Sequence, residues 1–308
     1  MELIKTLYNK PFLKPFLNPI KAIYDFYRFR FVSDLAFINK EYKKVFGVYP
    51  NLNEPKTINE KIQWLKLNDR TPLHTICADK YQSREYIEQK IGNKYLVPLV
   101  FATKNVEEIK KDNIPNYPVI VKTNHDSGVY GIIGDRDNYD YETLRNNLKK
   151  SLKKNHYFIT KEWQYKNIEP RIIVERLIKD KNEKISDDYK IHCFNGKAKV
   201  VYVSVDREGL NKRNIYSEKW EPLMFTWAEK NKKTENIRGE EIEKPENFDA
   251  MLKLAEKVSE DFKYARIDFY NVDGKIFCGE ITFHPGSGLH LIIPKKWDLI
   301  LGEYLQLQ

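Results

Sequence analysis

Residues 264–288 read YARIDFYNVDGKIFCGEITFHPGSG and contain two strand-like runs on either side of Asp273-Gly274. The dipeptide Asp-Gly between alternating runs is a strong signal for a β-hairpin. In the first run Arg266 and Asp268 alternate with apolar residues, and alternate residues of a strand point to opposite faces. The segment therefore predicts a hairpin that carries charged side chains on one face.

The second run contributes Glu280, and the length of the loop determines whether this residue shares a face with Asp268. A two-residue loop would pair Asp268 with Gly279 and turn Glu280 to the opposite face. A three-residue loop, Val272–Gly274, with its glycine in a left-handed bulge conformation pairs Arg266 with Glu280. We predict the three-residue loop, because it brings the two acids to one face.

Acids in a largely apolar segment are costly to bury unless something compensates their charge. A divalent metal is one compensation, and proteins hold Mg²⁺ through one or two carboxylates together with substrate phosphates. We therefore expect Asp268 and Glu280 to bind Mg²⁺; an ion-pair cluster with Arg266 on a solvated face is the alternative. The turn Pro285–Gly288 favours the metal site, since its glycines let backbone N–H groups approach an anion closely.

The composition is that of a folded protein with a basic balance. At 308 residues, 41% hydrophobic and 31% charged, the chain suggests about two globular domains and not a disordered segment. The net charge of +9 is compatible with an anionic partner, while no zinc-finger spacing or RNA-recognition motif indicates nucleic-acid binding. Three widely separated cysteines without metal-ligand spacing fit a reducing cytoplasm.

Residues 1–32 form a basic, aromatic segment that three prolines interrupt. It has neither an apolar run long enough to cross a bilayer nor the features of a secretory signal. One interpretation is an interfacial anchor that contacts the inner membrane; the other is an arm packed on the main body. We predict a cytoplasmic protein and leave peripheral contact with the cytoplasmic membrane face open.

Two lysines lie where they could reach a phosphate. Asp79 is a candidate cap for a helix that carries Lys80 and ends at Gly92. Lys122 ends a β-branched run before a small polar loop, residues 124–131, which is similar to a phosphate-covering loop but is not a Walker A motif. An ordinary solvated position is the alternative for both lysines.

An apolar run, residues 171–174, leads into Glu175, Leu177 and Ile178. Such a run suits an adenine pocket, in which backbone groups meet the purine edge and Glu175 takes the amino group. A buried strand with a charged end is the alternative.

Residues 186–203 predict a second hairpin, because Asn195-Gly196 separates two strand-like runs. Asp188 and Lys190 share one face of its first strand. Residues 208–247 read as a polar loop.

In their order and spacing these segments resemble the ATP-grasp superfamily, and specifically its TupA-like branch of bacterial surface-polysaccharide and teichuronopeptide biosynthesis. The matching segments are PKTINEKIQWLK at 55–66, DKYQSREYI at 79–87, YPVIVKTNHDSG at 117–128, IIVERLI at 172–178, DDYKIHCFNGK at 187–197 and RIDFYNVDGKIFCGEITFHPGSG at 266–288. The resemblance implies an α+β ATP-grasp fold, in which two α+β lobes with antiparallel sheets clamp ATP after a helical N-terminal region.

The resemblance also implies a division of the chain and a set of site residues. The expected parts are the basic arm 1–32, a helical region 33–105, a small lobe with the phosphate loop 106–178 and a large lobe with the metal site 179–308. The expected cofactors are ATP and Mg²⁺. The implied ATP contacts are Lys80, Lys122, Asp126, Ser127, Gly128, Glu175, Leu177 and Ile178. The implied metal ligands are Asp268, Glu280 and Thr282, and the implied catalytic residues are Arg266, Lys190, Ser287 and Gly288.

One position departs from the pattern of the superfamily. Many ATP-grasp enzymes have asparagine two residues after the metal-binding glutamate, and this chain has Thr282. A hydroxyl binds Mg²⁺ more weakly than an amide carbonyl, which puts a second metal ion in doubt.

The implied activity is an ATP-dependent carboxylate–amine ligase that acts through an acyl phosphate. In the setting of a bacterial surface polysaccharide, the carboxylate is expected on a uronic acid or acidic glycan, and the amine on an amino acid. A capsule or O-antigen glycosyltransferase that uses an acidic motif such as Asp135–Asp137 is an alternative enzyme class. A nucleotide-binding or scaffold protein without turnover is the non-enzymatic alternative.

Overall fold

The computed structural model describes residues 30–126, 128, 130–205, 212–229 and 238–307, together with residues 23, 26 and 27. The predicted arm 1–32 lies almost wholly outside these residues, and the predicted phosphate contact Ser127 lies outside them as well. Within the described ranges, no helix is both long enough and apolar enough to cross a membrane.

The described ranges contain helices and strands in mixed order. The helices are α1 Asp34–Phe46, α2 Ile58–Asn68, α3 Pro72–Ala78, α4 Ser83–Ile91, α5 Tyr141–Leu152, α6 His156–Thr160, α7 Phe248–Ser259 and α8 Lys296–Tyr304. The strands are β1 Leu99–Thr103, β2 Val119–Thr123, β3 Tyr130–Ile133, β4 Ile172–Arg176, β5 Asp188–Phe194, β6 Lys197–Val205, β7 Lys212–Ser217, β8 Thr226–Ala228, β9 Tyr264–Val272, β10 Lys275–Thr282 and β11 Leu291–Ile293. Strands β8 and β11 pair with each other as a small separate sheet.

A four-stranded antiparallel sheet has the order β1-β4-β2-β3. In β2, Val119 and Val121 are buried in a core that also contains Leu144 and Leu148 of α5. The alternate residue Lys122 therefore points to the other face, where it lines a cleft. Because β1 belongs to this sheet, the sheet begins within the range 33–105 that was expected to be helical.

A five-stranded antiparallel sheet has the order β10-β9-β5-β6-β7. One face is apolar, and Ile191, Ile267 and Phe269 lie there in one core with residues of α7. The opposite face turns Lys190 and Asp268 into the cleft. Strand β7 lies inside the stretch that reads as a polar loop; it is an edge strand of this sheet, and β6 pairs along it.

The β9–β10 hairpin forms as predicted, but with a different loop. Lys275 lies opposite Val272, so the loop contains only Asp273 and Gly274, whose φ angles are 48° and 77°. The predicted three-residue loop is therefore wrong. Two successive residues with positive φ are typical of the type I′ turn, whose twist matches that of the strands it joins.

A β-bulge at Gly279 restores the shared face of the two acids. The ladder shifts by one residue there, so that Glu280 lies opposite Asp268 and Thr282 lies opposite Arg266. The predicted pairing of Arg266 with Glu280 is wrong, yet its consequence holds. The extra residue of a bulge reverses the side-chain alternation of its strand, which compensates for the shorter loop.

Helix α2 joins the N-terminal region to the C-terminal segment. Thr57 and Glu60 form a capping box at its start. The backbone N–H of Asn59 donates to Oδ1 of Asp298 at 3.1 Å, and the Asn59 side chain donates to the carbonyl oxygen of His290 at 3.1 Å. These contacts place α2 directly beside the turn that follows β10.

Candidate active site

A cleft of about 610 Å³ is lined by residues of both large sheets, and this volume is in the range of small-molecule sites. It brings together residues that are far apart in the sequence, from the turn before α4 to β10. Eleven of the sequence-predicted site residues line it: Lys80, Lys122, Asp126, Gly128, Glu175, Leu177, Ile178, Lys190, Arg266, Asp268 and Glu280.

Lys80 links the two sides of the cleft. Its Nζ donates to the carbonyl oxygen of Asp126 at 2.9 Å and lies 3.3 Å from Oε1 of Glu280. Asp79, predicted to cap the helix, instead caps the turn before it, since its carboxylate accepts the N–H of Tyr81 at 2.8 Å. The residue at the N-cap position of α4 is Gln82. The turn therefore presents Lys80 to the cleft before the helix begins.

Glu175 lies between two cations. Its Oε2 is 2.8 Å from Nζ of Lys122, and its Oε1 is 3.1 Å from Nη1 of Arg84. Burial opposes the charge of Lys122, but the neighbouring Glu175 outweighs this effect and raises the pKa of the lysine above its usual value. Both oxygens of Glu175 are thus engaged in positioning cations, and a contact with adenine stays a prediction.

The side chain of Asp126 is hydrogen-bonded at the start of the segment that was predicted to cover phosphate, and it does not point freely into the cleft. Its carboxylate accepts from the hydroxyl groups of Thr123, at 2.5 Å, and Ser151. Two residues later Gly128 is exposed and has a φ angle of 96°, a conformation that favours glycine. The segment is therefore fixed at its base by the side chain of Asp126.

Arg266 forms a two-pronged ion pair with Asp268. Its Nε and Nη2 lie 2.7 Å from the two carboxylate oxygens, and Nη2 also donates to the hydroxyl of Thr282 at 3.0 Å. Burial acts against the guanidinium charge, but Asp268 more than compensates, so the pKa of Arg266 is raised. Lys190 pairs with Asp188, and its Nζ lies 3.9 Å from Oδ2 of Asp268.

Asp268 and Glu280 supply a donor set that suits a hard divalent cation. They lie opposite each other and both line the cleft. Burial alone would raise the pKa of Glu280, but Lys80, Arg266 and Lys122 together lower it, so the carboxylate is ionised at neutral pH. Among the described residues no cluster of three or more His, Cys, Asp or Glu side chains could hold a metal. Two carboxylates with phosphate oxygens are nevertheless the usual environment of Mg²⁺.

The turn Pro285–Gly288 lies beside the cleft, and Ser287 and Gly288 do not line it. Successive positive φ angles, 56° at Gly286, 57° at Ser287 and 66° at Gly288, give the turn a tight, concave backbone. Gln63 of α2 donates to the carbonyl oxygens of Ser287 and Gly288, both at 2.8 Å. The turn is therefore held from behind by a helix more than two hundred residues earlier in the chain.

Lys66 is a residue of this region that the sequence interpretation missed. It is only 2% exposed, and its Nζ donates to the Ser287 hydroxyl at 2.9 Å. Burial lowers its pKa to about 8. One available signal was the spacing of Asn59, Gln63 and Lys66, which places three polar residues on one face of α2.

Several solved ligase structures are similar to the chain, at low sequence identity and low structural overlap. A D-alanine–D-alanine ligase from Bacillus anthracis is 20% identical, with a TM-score of 0.38 over 73% of this chain and 62% of that structure. An L-amino acid ligase from Bacillus licheniformis is 14% identical, with a TM-score of 0.43 over 75% of this chain and 50% of that structure. A D-alanine–D-alanine ligase from Helicobacter pylori is 17% identical, with a TM-score of 0.42 over 80% and 69%. This chain thus spans less than two thirds of the first two structures.

Comparison with protein families identifies the family of the chain, which these structural overlaps do not. No curated protein sequence matches it. A model of the TupA-like ATP-grasp family, however, matches residues 60–306, which include every described element from within α2 to the end of α8. The chain therefore belongs to the TupA-like ATP-grasp family.

Proposed function

We propose that the protein is an ATP-dependent ligase that joins a carboxylate to an amine through an acyl phosphate. The observation that carries the proposal is the pair Asp268 and Glu280, which lie opposite each other within one cleft. Lys80, Lys122 and Arg266 line the same cleft. Metal-binding acids beside phosphate-binding cations are what a transfer from Mg·ATP requires.

ATP occupies the cleft between the two sheets in this proposal. Lys80 and Lys122 contact the phosphates, and the loop 124–131 covers them. The adenine lies against Leu177 and Ile178, which line the same cleft. The raised pKa of Lys122 supports its role, because a lysine that remains protonated in a buried setting is an effective partner for phosphate.

Asp268 and Glu280 would hold Mg²⁺. When bound, the ion neutralises phosphate charge that would otherwise repel an incoming carboxylate. The hydroxyl of Thr282, the third predicted ligand, accepts a hydrogen bond from Nη2 of Arg266 at 3.0 Å. We therefore assign Thr282 to positioning the guanidinium group. Two carboxylates remain as protein ligands, and phosphate oxygens complete the set.

The proposed reaction proceeds in two displacements. A substrate carboxylate attacks the γ-phosphorus of ATP, the bond to the β–γ bridging oxygen breaks, and acyl phosphate and ADP form. An amine then attacks the acyl carbon, inorganic phosphate leaves with the electron pair of the C–O bond, and an amide remains after loss of a proton from nitrogen. Arg266 and Lys190 stabilise the charge on the transferring phosphoryl group, and the turn containing Ser287 and Gly288 holds the acyl phosphate.

No side chain of the protein needs to form a covalent intermediate. The three cysteines are buried, and burial raises the pKa of each thiol well above its ordinary value, which suppresses the reactive thiolate. Positioning and electrostatic stabilisation account for phosphoryl transfer of this kind.

The proposed substrates are a uronic acid of a bacterial surface polysaccharide or its precursor, and an amino acid or amine. The net charge of +9 suits an acidic glycan. We place the reaction in the cytoplasm, with the N-terminal arm 1–32 as a peripheral contact to the inner membrane. We keep the division into a helical region 33–105 and lobes 106–178 and 179–308 as a working proposal.

A glycosyltransferase is disfavoured by the position of its candidate motif. The carboxylate of Asp135 forms hydrogen bonds within its own turn. It accepts one from the backbone N–H of Asp137 at 2.8 Å and one from the side-chain amide of Asn138 at 2.7 Å. Neither acid of this motif lines the cleft.

The test is a screen for ADP release with uronic acids as the carboxylate substrates and amino acids as the amine substrates. We expect ADP release to require both substrates and Mg²⁺, and a new amide to appear by mass spectrometry. Asp268→Asn is the matched control, since it keeps the shape of the side chain and removes the metal-binding charge. Release of UDP or GDP in place of ADP, or full turnover by Asp268→Asn, would contradict the proposal.

A further inference from the structure

A second, smaller pocket of about 120 Å³ adjoins the nucleotide cleft. The two share Lys190 and Arg266, so the pocket opens where phosphoryl transfer is proposed to occur. Its other walls include Arg213, Trp227 and Gly286. We call it the acceptor pocket.

Three cations of the acceptor pocket come from one face of the five-stranded sheet. Arg266 is on β9, Lys190 on β5 and Arg213 on β7, all on the face opposite α7. Within the described residues no carboxylate lines this pocket. Guanidinium groups bind carboxylates through two parallel hydrogen bonds, which makes this wall suitable for an acid.

Trp227 lines the pocket and carries a hydrogen-bond donor that the described residues leave unused. The side chain is 4% exposed, and its indole N–H is buried without a hydrogen-bond partner among those residues. Buried polar groups in proteins are nearly always hydrogen-bonded, so an exception calls for a ligand or water. A sugar hydroxyl would satisfy the donor.

The acceptor pocket does not end at Arg213. Arg213 and Tyr202 also line a neighbouring groove of about 170 Å³, which continues towards the exposed side chains of Met224 and Ile293. The Arg213 guanidinium lies over the Tyr202 ring at 5.4 Å and donates to its hydroxyl at 3.0 Å, so it is held at the junction of the two spaces.

We infer that the acceptor pocket and this groove bind an acidic glycan of at least two sugars. This inference rests on the proposed function. The reacting uronic acid lies in the acceptor pocket with its carboxylate at Arg266, and Trp227 donates to one of its hydroxyl groups. The adjoining sugar lies at Arg213, which binds its carboxylate. Free monosaccharide would lack this last contact.

The experiment measures binding of D-galacturonate and of trigalacturonate by titration calorimetry in the presence of Mg·ADP, which allows no turnover. We expect the trimer to bind at least about tenfold more tightly than the monomer, the gain from one charge-assisted hydrogen-bonded pair. Arg213→Ala should abolish this gain, and maltotriose, which has no carboxylate, should not bind. Equal affinity of monomer and trimer, absence of trimer binding, or an unchanged Arg213→Ala would each overturn the inference.

Two further variants separate binding from folding. Arg145→Ala removes an arginine that lies on α5, outside the acceptor pocket, and should leave trimer affinity unchanged. Trp227→Phe keeps a ring and removes only the N–H, and we expect it to weaken both sugars alike. The affinity of the wild type for Mg·ADP, measured without sugar, tells failure of the proposed function from failure of this inference. If the wild type does not bind Mg·ADP, the proposed function is refuted. If it binds Mg·ADP but not the trimer, only this inference is refuted.

Discussion

Glu175 is the buried anion that holds two cations lining the cleft or lying beside it, Lys122 and Arg84, and its replacement by glutamine is a direct test of this role. The variant keeps the size of the side chain and one accepting oxygen, but removes the negative charge between Lys122 and Arg84. The side chain of Glu175 is 6% exposed, and those of Lys122 and Arg84 are 15% and 18% exposed. The two cations would then face each other across a neutral amide.

The expected magnitude follows from these exposures. Removing one partner of a buried ion pair costs roughly 3–5 kcal/mol, because the remaining charge stays buried without compensation. Both cations retain some contact with water and the amide can still accept a hydrogen bond, so we expect the lower end, about 3 kcal/mol. For a chain of this size that corresponds to a fall in Tm of roughly 6–12 °C.

Thermal unfolding monitored by circular dichroism measures this change, with Glu169→Gln as the matched control. Glu169 also contacts two cations, Lys104 at 2.5 Å and Arg171 at 3.1 Å, but it is 57% exposed. Its replacement should leave the melting temperature nearly unchanged, because exposed ion pairs contribute little to stability. Equal melting temperatures for the two variants would refute the reasoning, since they would show that burial of the Glu175 pairs adds nothing.

Three other changes probe the hairpin and the turn beside it. Glu280→Gln should reduce ADP release by roughly a thousandfold without changing the fold, as the loss of several kcal/mol of metal stabilisation predicts; turnover at the wild-type rate would contradict its metal role. Gly279→Ala should destabilise the protein by about 1–3 kcal/mol in urea unfolding, because a Cβ at the bulge would lie 2.9 Å from the Tyr270 ring. Gly134→Ala, where nothing lies within 4 Å, should not. Lys66 has a folded-state pKa of about 8 against 10.5 when unfolded, so the unfolded state binds more protons between these values and stability should rise with pH there, by up to about 3 kcal/mol. Lys66→Met should lose this slope, and a slope unchanged in the variant would assign the effect to another group.

Local patterns were sufficient for the elements that carry the site. The alternation of Arg266 and Asp268 with apolar residues predicted which side chains share a face of β9, and both line the cleft. The Asn195-Gly196 turn predicted the β5–β6 hairpin, and positive φ angles of 48° and 74° at these residues agree with the turn. Such signals are readable because they depend on neighbours a few residues apart.

Contacts between distant segments were not readable in this way. The three-residue loop was predicted because it brings Asp268 and Glu280 to one face, whereas the structure has a two-residue loop and a bulge at Gly279. The polar face of α2 did not indicate that Lys66 would be buried against Ser287, and nothing near Arg84 indicated that it would meet Glu175. Polar side chains have the same sequence signature whether they are solvated or buried against a partner.

The sequence by itself determined the two hairpins, the shared face of Arg266 and Asp268 on β9 and membership in the TupA-like ATP-grasp family, because periodicity, turn residues and motif order are properties of short segments. Only the tertiary structure decided which charges compensate one another, where the acceptor pocket lies and which residues hold the turn Pro285–Gly288. These depend on burial and on distances of a few ångströms between residues as far apart as Lys80 and Glu280. The free energy of such contacts is set by the surroundings of both partners, and no single segment contains that information.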